Sequence, residues 1–145
     1  HVIGRIEQDH EPYHVMVAQL LDQIRSIHGR ALLLDLHSMP SLLDENGRKI
    51  GFVLGDRFGR SCESRYVELA AVHLRMHGHH VQTNHPYSGG YILERHGKPG
   101  SNVHAFQLEV DRSLYLDQRW HSEGMPVLIR SGDADRYRVN VGLIG

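Results

Sequence analysis

The ten residues Ala31–Pro40, ALLLDLHSMP, constrain this chain more than any other stretch. Four apolar residues lead into Asp35, Leu36 and His37, and Pro40 ends the run. A short apolar run of this kind reads as a buried central strand of a mixed or parallel sheet. Such sheets hold ligands at the carboxyl ends of their strands, which is where Asp35 and His37 stand. Two residues apart on a strand, they share one face. Neutral imidazole is a common metal ligand, and a neighbouring carboxylate can orient it. An equal alternative is a capped strand end, with both side chains bonded to nearby backbone.

The 145 residues read as a single α/β domain, 1–145, with enough chain for one core. With 16 basic against 17 acidic residues, there is no electrostatic footprint for nucleic acid or an anionic membrane. The lone cysteine, Cys62, cannot close an internal disulfide. No apolar run approaches a membrane span and His1–Gly4 does not begin a signal peptide, so the expectation is a soluble, cytoplasmic protein. Most of the 13 histidines must be scattered surface residues, because one site uses two or three. The chain lacks an initiator methionine and enters a helical pattern with little preamble, as a fragment would.

Pro12 suits a first helical turn, and Tyr13, Val17, Leu20, Ile24 and Ile27 make one apolar stripe that Gly29 closes. His10 and His14 are four apart and could face a metal together, although surface positions are the better expectation. Ile50–Leu54 reads as a second apolar strand, ending in Gly55-Asp56-Arg57-Phe58-Gly59, either a tight functional loop or a salt-bridged turn. Ser61 is a plausible N-cap for an amphipathic helix through Tyr66, Leu69, Ala70 and Leu74, closed by Gly78. His73 and His77 read as surface residues. His79–Thr83 looks like a short strand. The segment Asn84–Tyr91 carries Gly89 and Gly90, which permit close approach or positive φ, between Tyr87 and Tyr91. Glu94–Asn102 reads as polar connection. In Val103–Val110, alternation puts Val103, Ala105, Gln107 and Glu109 on one face and His104, Phe106, Leu108 and Val110 on the other. A glutamate in such a strand is costly to bury unpaired, and its pKa should rise unless a cation lies near; a salt bridge to Arg112 is the plainer alternative. Pro126–Arg130 and Tyr137–Ile144 read as further strands.

Three stretches stand together: DLHSMP at 35–40, GDRFG at 55–59, and NHPYSGGYI at 84–92 followed by HAFQLEVDRSLY at 104–115. Their order and content resemble the N-formylglutamate amidohydrolase family, with aspartoacylase-like and zinc-carboxypeptidase-like hydrolases as more distant kin. The resemblance covers roughly Pro12 to Asp117. It implies a mixed, mostly parallel twisted sheet flanked by helices, incomplete at its N-terminal side. It also implies zinc-dependent hydrolysis of an N-acyl amino acid, a small-molecule substrate, with formate and glutamate released in the name-giving case. By the same resemblance His37 is a zinc ligand, Asp35 supports it, and Glu109 is general base and then general acid. Arg57 and, less directly, Arg112 hold a substrate carboxylate, while Tyr87, Gly89 and Gly90 wall the pocket. Family members bring a further histidine and carboxylate from a segment upstream of Pro12, which leaves one zinc ligand by motif here. Three readings stay open: the N-formylglutamate enzyme, a relative acting on another N-acyl amino acid, and a non-catalytic α/β module without a complete zinc site.

Overall fold

The computed structural model describes residues 10–116, and the strands expected at Pro126–Arg130 and Tyr137–Ile144 lie outside them. The chain divides between Leu114 and Tyr115, and the fold below is that of the first unit. No helix among the described residues is long and apolar enough to cross a membrane.

Helix α1 spans Glu11–His28, with Pro12 in its first turn and Gly29 closing it at φ 75° through a bond from its N–H to the Arg25 carbonyl. Strand β1, Ala31–Met39, follows almost at once. A small antiparallel hairpin comes next, β2 (Leu42–Leu43) with β3 (Lys49–Ile50). Strand β4 is Phe52–Gly55. The expected strand Ile50–Leu54 is thus split at Gly51, whose N–H bonds the His80 carbonyl instead of a ladder partner. Helix α2 is Ser64–Met76, β5 is Val81–Thr83, α3 is Tyr91–His96 and β6 is Val103–Asp111. Helix α3 was not expected from the polar sequence; it begins directly behind the glycine pair and buries Leu93. Nor is Ser61 the cap of α2: that position is Glu63, and Ser61 is buried, its carbonyl accepting the Ala105 N–H.

The main sheet has the order β1-β6-β4-β5. β1 pairs parallel with β6 and β4 parallel with β5, while β4 and β6 are antiparallel. This is the mixed, mostly parallel sheet expected. β6 is buried along nearly its whole length, and its two faces meet different layers. Phe106 packs with Leu54, Cys62, Val67, Ala71 and Val81 beneath α2. Burying side chains of this kind contributes about 1.5–3 kcal/mol each. On the other face Val103 joins Ala31 and Leu21 of α1. Here α1 and α3 cover the first halves of β1 and β6, and the second halves carry the polar residues of the site.

The apolar stripe read for α1 is only partly the buried one. Leu21 and His14 are buried, whereas Leu20, Ile24 and Ile27 are 51%, 42% and 66% exposed. The helix is rotated so that His14 meets α3, its Nδ1 lying 2.8 Å from His96 Nε2, and so that Leu21 reaches Ala31 and Val103. His14 Nε2 also lies 3.2 Å from His10 Nε2, so the pair at 10 and 14 is part of a row of three imidazoles. Arg95 clamps the same junction by bonding both carboxylate oxygens of Glu11, at 2.9 and 2.6 Å, and holds Glu11 down at about 2. His73 and His77 are on the surface as expected, His77 bonding the His73 carbonyl.

Burial first, then Arg95 and the neighbouring imidazoles, hold His14 and His96 below the ordinary histidine range. The unfolded chain therefore takes up protons near pH 6.5, before the folded chain does. The contribution of these residues to stability is complete above that pH and is lost as pH falls towards the lower folded values. Thermal melts are expected to show Tm dropping between about pH 7.5 and about pH 5.5, with a shallower slope in His96→Gln.

Candidate active site

Parallel pairing of β1 and β6 sets their carboxyl-terminal halves side by side. His37 stands opposite Glu109 and Asp35 opposite Gln107 in the register. All four side chains therefore share one face of the sheet. His37 Nε2 lies 3.0 Å from Asp35 Oδ2, with the imidazole half exposed and the carboxylate largely covered. Glu109 is 8% exposed, and its Oε1 accepts a 2.6 Å hydrogen bond from Gln107 Nε2. Burial pushes the Glu109 carboxyl above the ordinary glutamate range, with Asp35 adding to the rise. His37, the Gln107 bond and Arg112 act in the opposite direction without cancelling it. Arg112 opens the short 3-10 turn Arg112–Leu114 directly after β6. Its charge acts on Glu109, as expected for an arginine at that strand end. Gln107 is the member the sequence reading placed on the face without giving it a task. Its period-two spacing from Glu109 was the available signal.

A second group of residues is built on β4. Because β4 runs antiparallel to β6, Val53 stands beside Glu109 and Gly55 beside Gln107. Chain 84–90 crosses the site face at Gly55. A Cβ on Gly55 would lie 2.6 Å from the Ser88 carbonyl carbon, so only glycine admits the crossing. The Arg57 N–H bonds the Ser88 carbonyl at 2.7 Å. Asp56 and Asn84 lock the two loops: Asp56 Oδ1 accepts from Asn84 Nδ2 at 2.7 Å, and Asn84 Oδ1 accepts from the Asp56 N–H at 3.0 Å. The GDRFG segment is a tight loop with Arg57 and Phe58 both at positive φ, and its arginine is also salt-bridged.

Arg57 is a quarter exposed and pairs with Glu94 of α3, Nη2 to Oε1 at 3.2 Å. Glu94 is a residue the sequence reading missed, since nothing marks it until α3 is seen to fold back. Gly89, at φ 104°, sits tight against Leu93. Gly90 has neither requirement: its φ is −111°, a Cβ there would meet open space, and its position is the N-cap of α3. Tyr87 is partly buried against Met39, Ile50 and Val53, beside the residue that flanks Glu109.

His104 falls on the opposite face, as alternation requires. It is buried under α2, with its ring 4.5 Å from that of Tyr66. Cys62 is fully buried, and burial pushes its thiol up to about 12, which removes it as a nucleophile. A cavity of about 400 Å³ lies under the β2–β3 hairpin, lined by residues such as Asp44, Arg48, His80 and His85. Neither His37 nor Glu109 lines it.

Among the described residues no three His, Cys, Asp or Glu side chains converge as a cage. His37 with Asp35 behind it is a good single ligand with its orienting carboxylate. A catalytic zinc usually takes three protein ligands, so the described residues do not make a complete centre.

On one face of the α/β sheet a buried glutamate stands abreast of a carboxylate-paired histidine, with the charge of Arg112 acting on it. The family model for N-formylglutamate amidohydrolase matches residues 1–116, and the chain belongs to that family. It is 36% identical over 113 residues to the N-formylglutamate deformylase of Pseudomonas aeruginosa, covering 74% of this chain and 42% of that protein. To the N-formylglutamate deformylase of Pseudomonas putida it is 36% identical over 118 residues, covering 78% and 43%. The crystal structure of N-formylglutamate amidohydrolase from Ralstonia eutropha JMP134 superposes with a TM-score of 0.70 at 32% identity, covering 80% of this chain and 44% of that one. The chain thus spans less than half the length of each of these relatives.

Proposed function

We propose that this chain carries the acid–base half of a hydrolase that cleaves the amide of N-formylglutamate, giving formate and glutamate. The observation that supports it best is the register pairing of His37 with Glu109 on adjacent parallel strands, in a chain of this family. In this reading Glu109 accepts a proton from the attacking water and passes it to the departing amine nitrogen. Its raised pKa suits a group that must both take and give that proton. Gln107 holds one carboxylate oxygen and leaves the other for the water. Arg57 and Arg112 bind substrate carboxylates through paired N–H donors. Zinc, when bound, supplies an activated water and a polarised carbonyl. His37 would be one of its ligands, and the others must come from beyond the described residues.

The incomplete donor set among the described residues supports a second reading for the chain taken alone: an α/β module that keeps the face but does not turn over. Formate release from N-formylglutamate separates the two readings. It is measured for the chain alone and for the chain mixed with the portion of the Pseudomonas putida deformylase that it does not match. Turnover and bound zinc in the mixture, with neither in the chain alone, are expected; inactivity of an assembled, zinc-loaded mixture would sink the enzyme reading. In that mixture Arg57→Ala is expected to raise KM roughly 10- to 100-fold with a smaller change in kcat, the value of charged hydrogen bonds to a carboxylate. Steady-state kinetics check it.

A further inference from the structure

The β2–β3 hairpin is tied down by more than a short turn needs. A bond from the Asp44 N–H to the Arg48 carbonyl, at 2.8 Å, already closes it. The Asp44 carboxylate then adds a set of its own. Its Oδ1 accepts the N–H groups of Asn46 and Arg48 at 2.9 and 2.8 Å, and its Oδ2 accepts Arg48 Nε at 2.9 Å. His80, at the entry to β5, brings its Nε2 to 2.9 Å from the same Oδ2 and so ties the hairpin to the sheet. The result is a fixed roof over the cavity of about 400 Å³. That cavity shares a sheet face with Glu109, because Gln82 in its lining pairs with Val53 and Val53 pairs with Glu109. It is nevertheless separate: Val53 stands between the two, packed with Met39, Ile50 and Tyr87.

Three kinds of surface meet in this cavity. Arg48 lines it with its Nε anchored on Asp44, and the two terminal nitrogens of that guanidinium bond no described residue. Anchored in this way, their edge is set for a planar carboxylate. Glu45 lines the cavity too, with no ionic or hydrogen-bond partner among the described residues. Leu42, Ile50 and Pro86 supply apolar lining. A simple anion would meet the unpaired charge of Glu45, and a simple amine would leave the Arg48 edge unmatched. A molecule carrying both charges and an apolar group answers all three. The geometry points to a binding site for a free α-amino acid with an apolar side chain. Its carboxylate lies on the outer edge of Arg48, its ammonium at Glu45, and its side chain against Leu42, Ile50 and Pro86. The site stands apart from the proposed activity and holds whether or not the chain turns over.

The probe is leucine, titrated into the full chain and followed by amide NMR. The amides of Glu45, Arg48, Gln82 and His85 should shift, with saturation in the millimolar range open to a ligand of this size. Leucinamide, which lacks the carboxylate, should bind roughly 10- to 100-fold more weakly, the worth of a charged hydrogen-bonded pair. The ammonium is missing from 4-methylpentanoate, which should lose a smaller factor, about threefold to fivefold, because Glu45 is exposed. Two variants assign the groups one by one. Arg48→Gln should erase the difference between leucine and leucinamide. Glu45→Gln should erase the difference between leucine and 4-methylpentanoate, and it leaves the Asp44 network whole even if Arg48→Gln loosens the hairpin.

Leucine that shifts no amide around the cavity overturns the proposal, as does binding that shifts the amides of His37 and Glu109 instead. Equal affinity for leucine and leucinamide overturns it as well. So does a uniform loss for all three ligands in Glu45→Gln, the mark of a residue that only shapes the hairpin. Glutamate binding more tightly than leucine overturns the assignment of an apolar side chain. Leucine binding with the expected order of ligands, by a chain that releases no formate, upholds the site all the same.

Discussion

Replacing Glu109 by glutamine is expected to cost the assembled enzyme two to four orders of magnitude in kcat, the usual size of a general acid–base contribution, with KM little changed. The substitution preserves shape. Its amide oxygen can still accept the hydrogen bond that Gln107 makes to Oε1. What it removes is the capacity to take and release a proton. Stability separates this reading from a structural one. Burial disfavours the ionised form of Glu109, so a neutral amide of the same size should leave Tm unchanged or raise it. Lost turnover with an unchanged or higher Tm marks a residue whose ionisation serves chemistry at a cost to the fold. Retained turnover would reduce Glu109 to a buried packing residue. Lost turnover with a collapsed Tm would place its value in the core.

Much of this arrangement was legible because β-strands have an exact period. Alternation alone put Asp35 with His37 and Gln107 with Glu109, and sent His104 to the other side. The pairing of the two strands was beyond the sequence, since the register comes from contacts across seventy residues of chain. The direction of β4 was hidden for the same reason, and with it the fact that Gly55 lies beside Gln107. Of the glycine pair, Gly89 takes the positive φ that the sequence allowed for, and Gly90 does not. Helix α3 escaped notice because only Leu93 and His96 of its six residues are buried, too few to print a period. The stripe on α1 misled for a physical reason. Helical spacing shows which residues share a face, but not which face turns inward when a buried histidine competes for the inner position.

Gly55→Ala is expected to be the most damaging small substitution at the site. The added methyl group would meet the Ser88 carbonyl carbon at 2.6 Å and the Gly89 nitrogen at 2.8 Å. Both are backbone atoms, so no rotamer change relieves the contact. β4 is held between β6 and β5 by its ladders, which leaves the 84–90 segment as the part that must move. Moving it breaks the 2.7 Å bond between the Arg57 N–H and the Ser88 carbonyl and strains the Asp56–Asn84 lock. Overpacking of this kind costs about 1–3 kcal/mol. Tm should fall accordingly, and KM for N-formylglutamate in the assembled enzyme should rise at least about tenfold as Arg57 loses its seat, the worth of one charged hydrogen bond. Gly90→Ala is the matched control. Two residues further along the same segment, it adds a methyl group to open space at negative φ. Its unfolding free energy should stay within about 0.5 kcal/mol of the parent, as for other surface substitutions. Equal effects of the two substitutions would mean that the crossing at Gly55 is loose, and that Arg57 is placed by its contact with Glu94 instead.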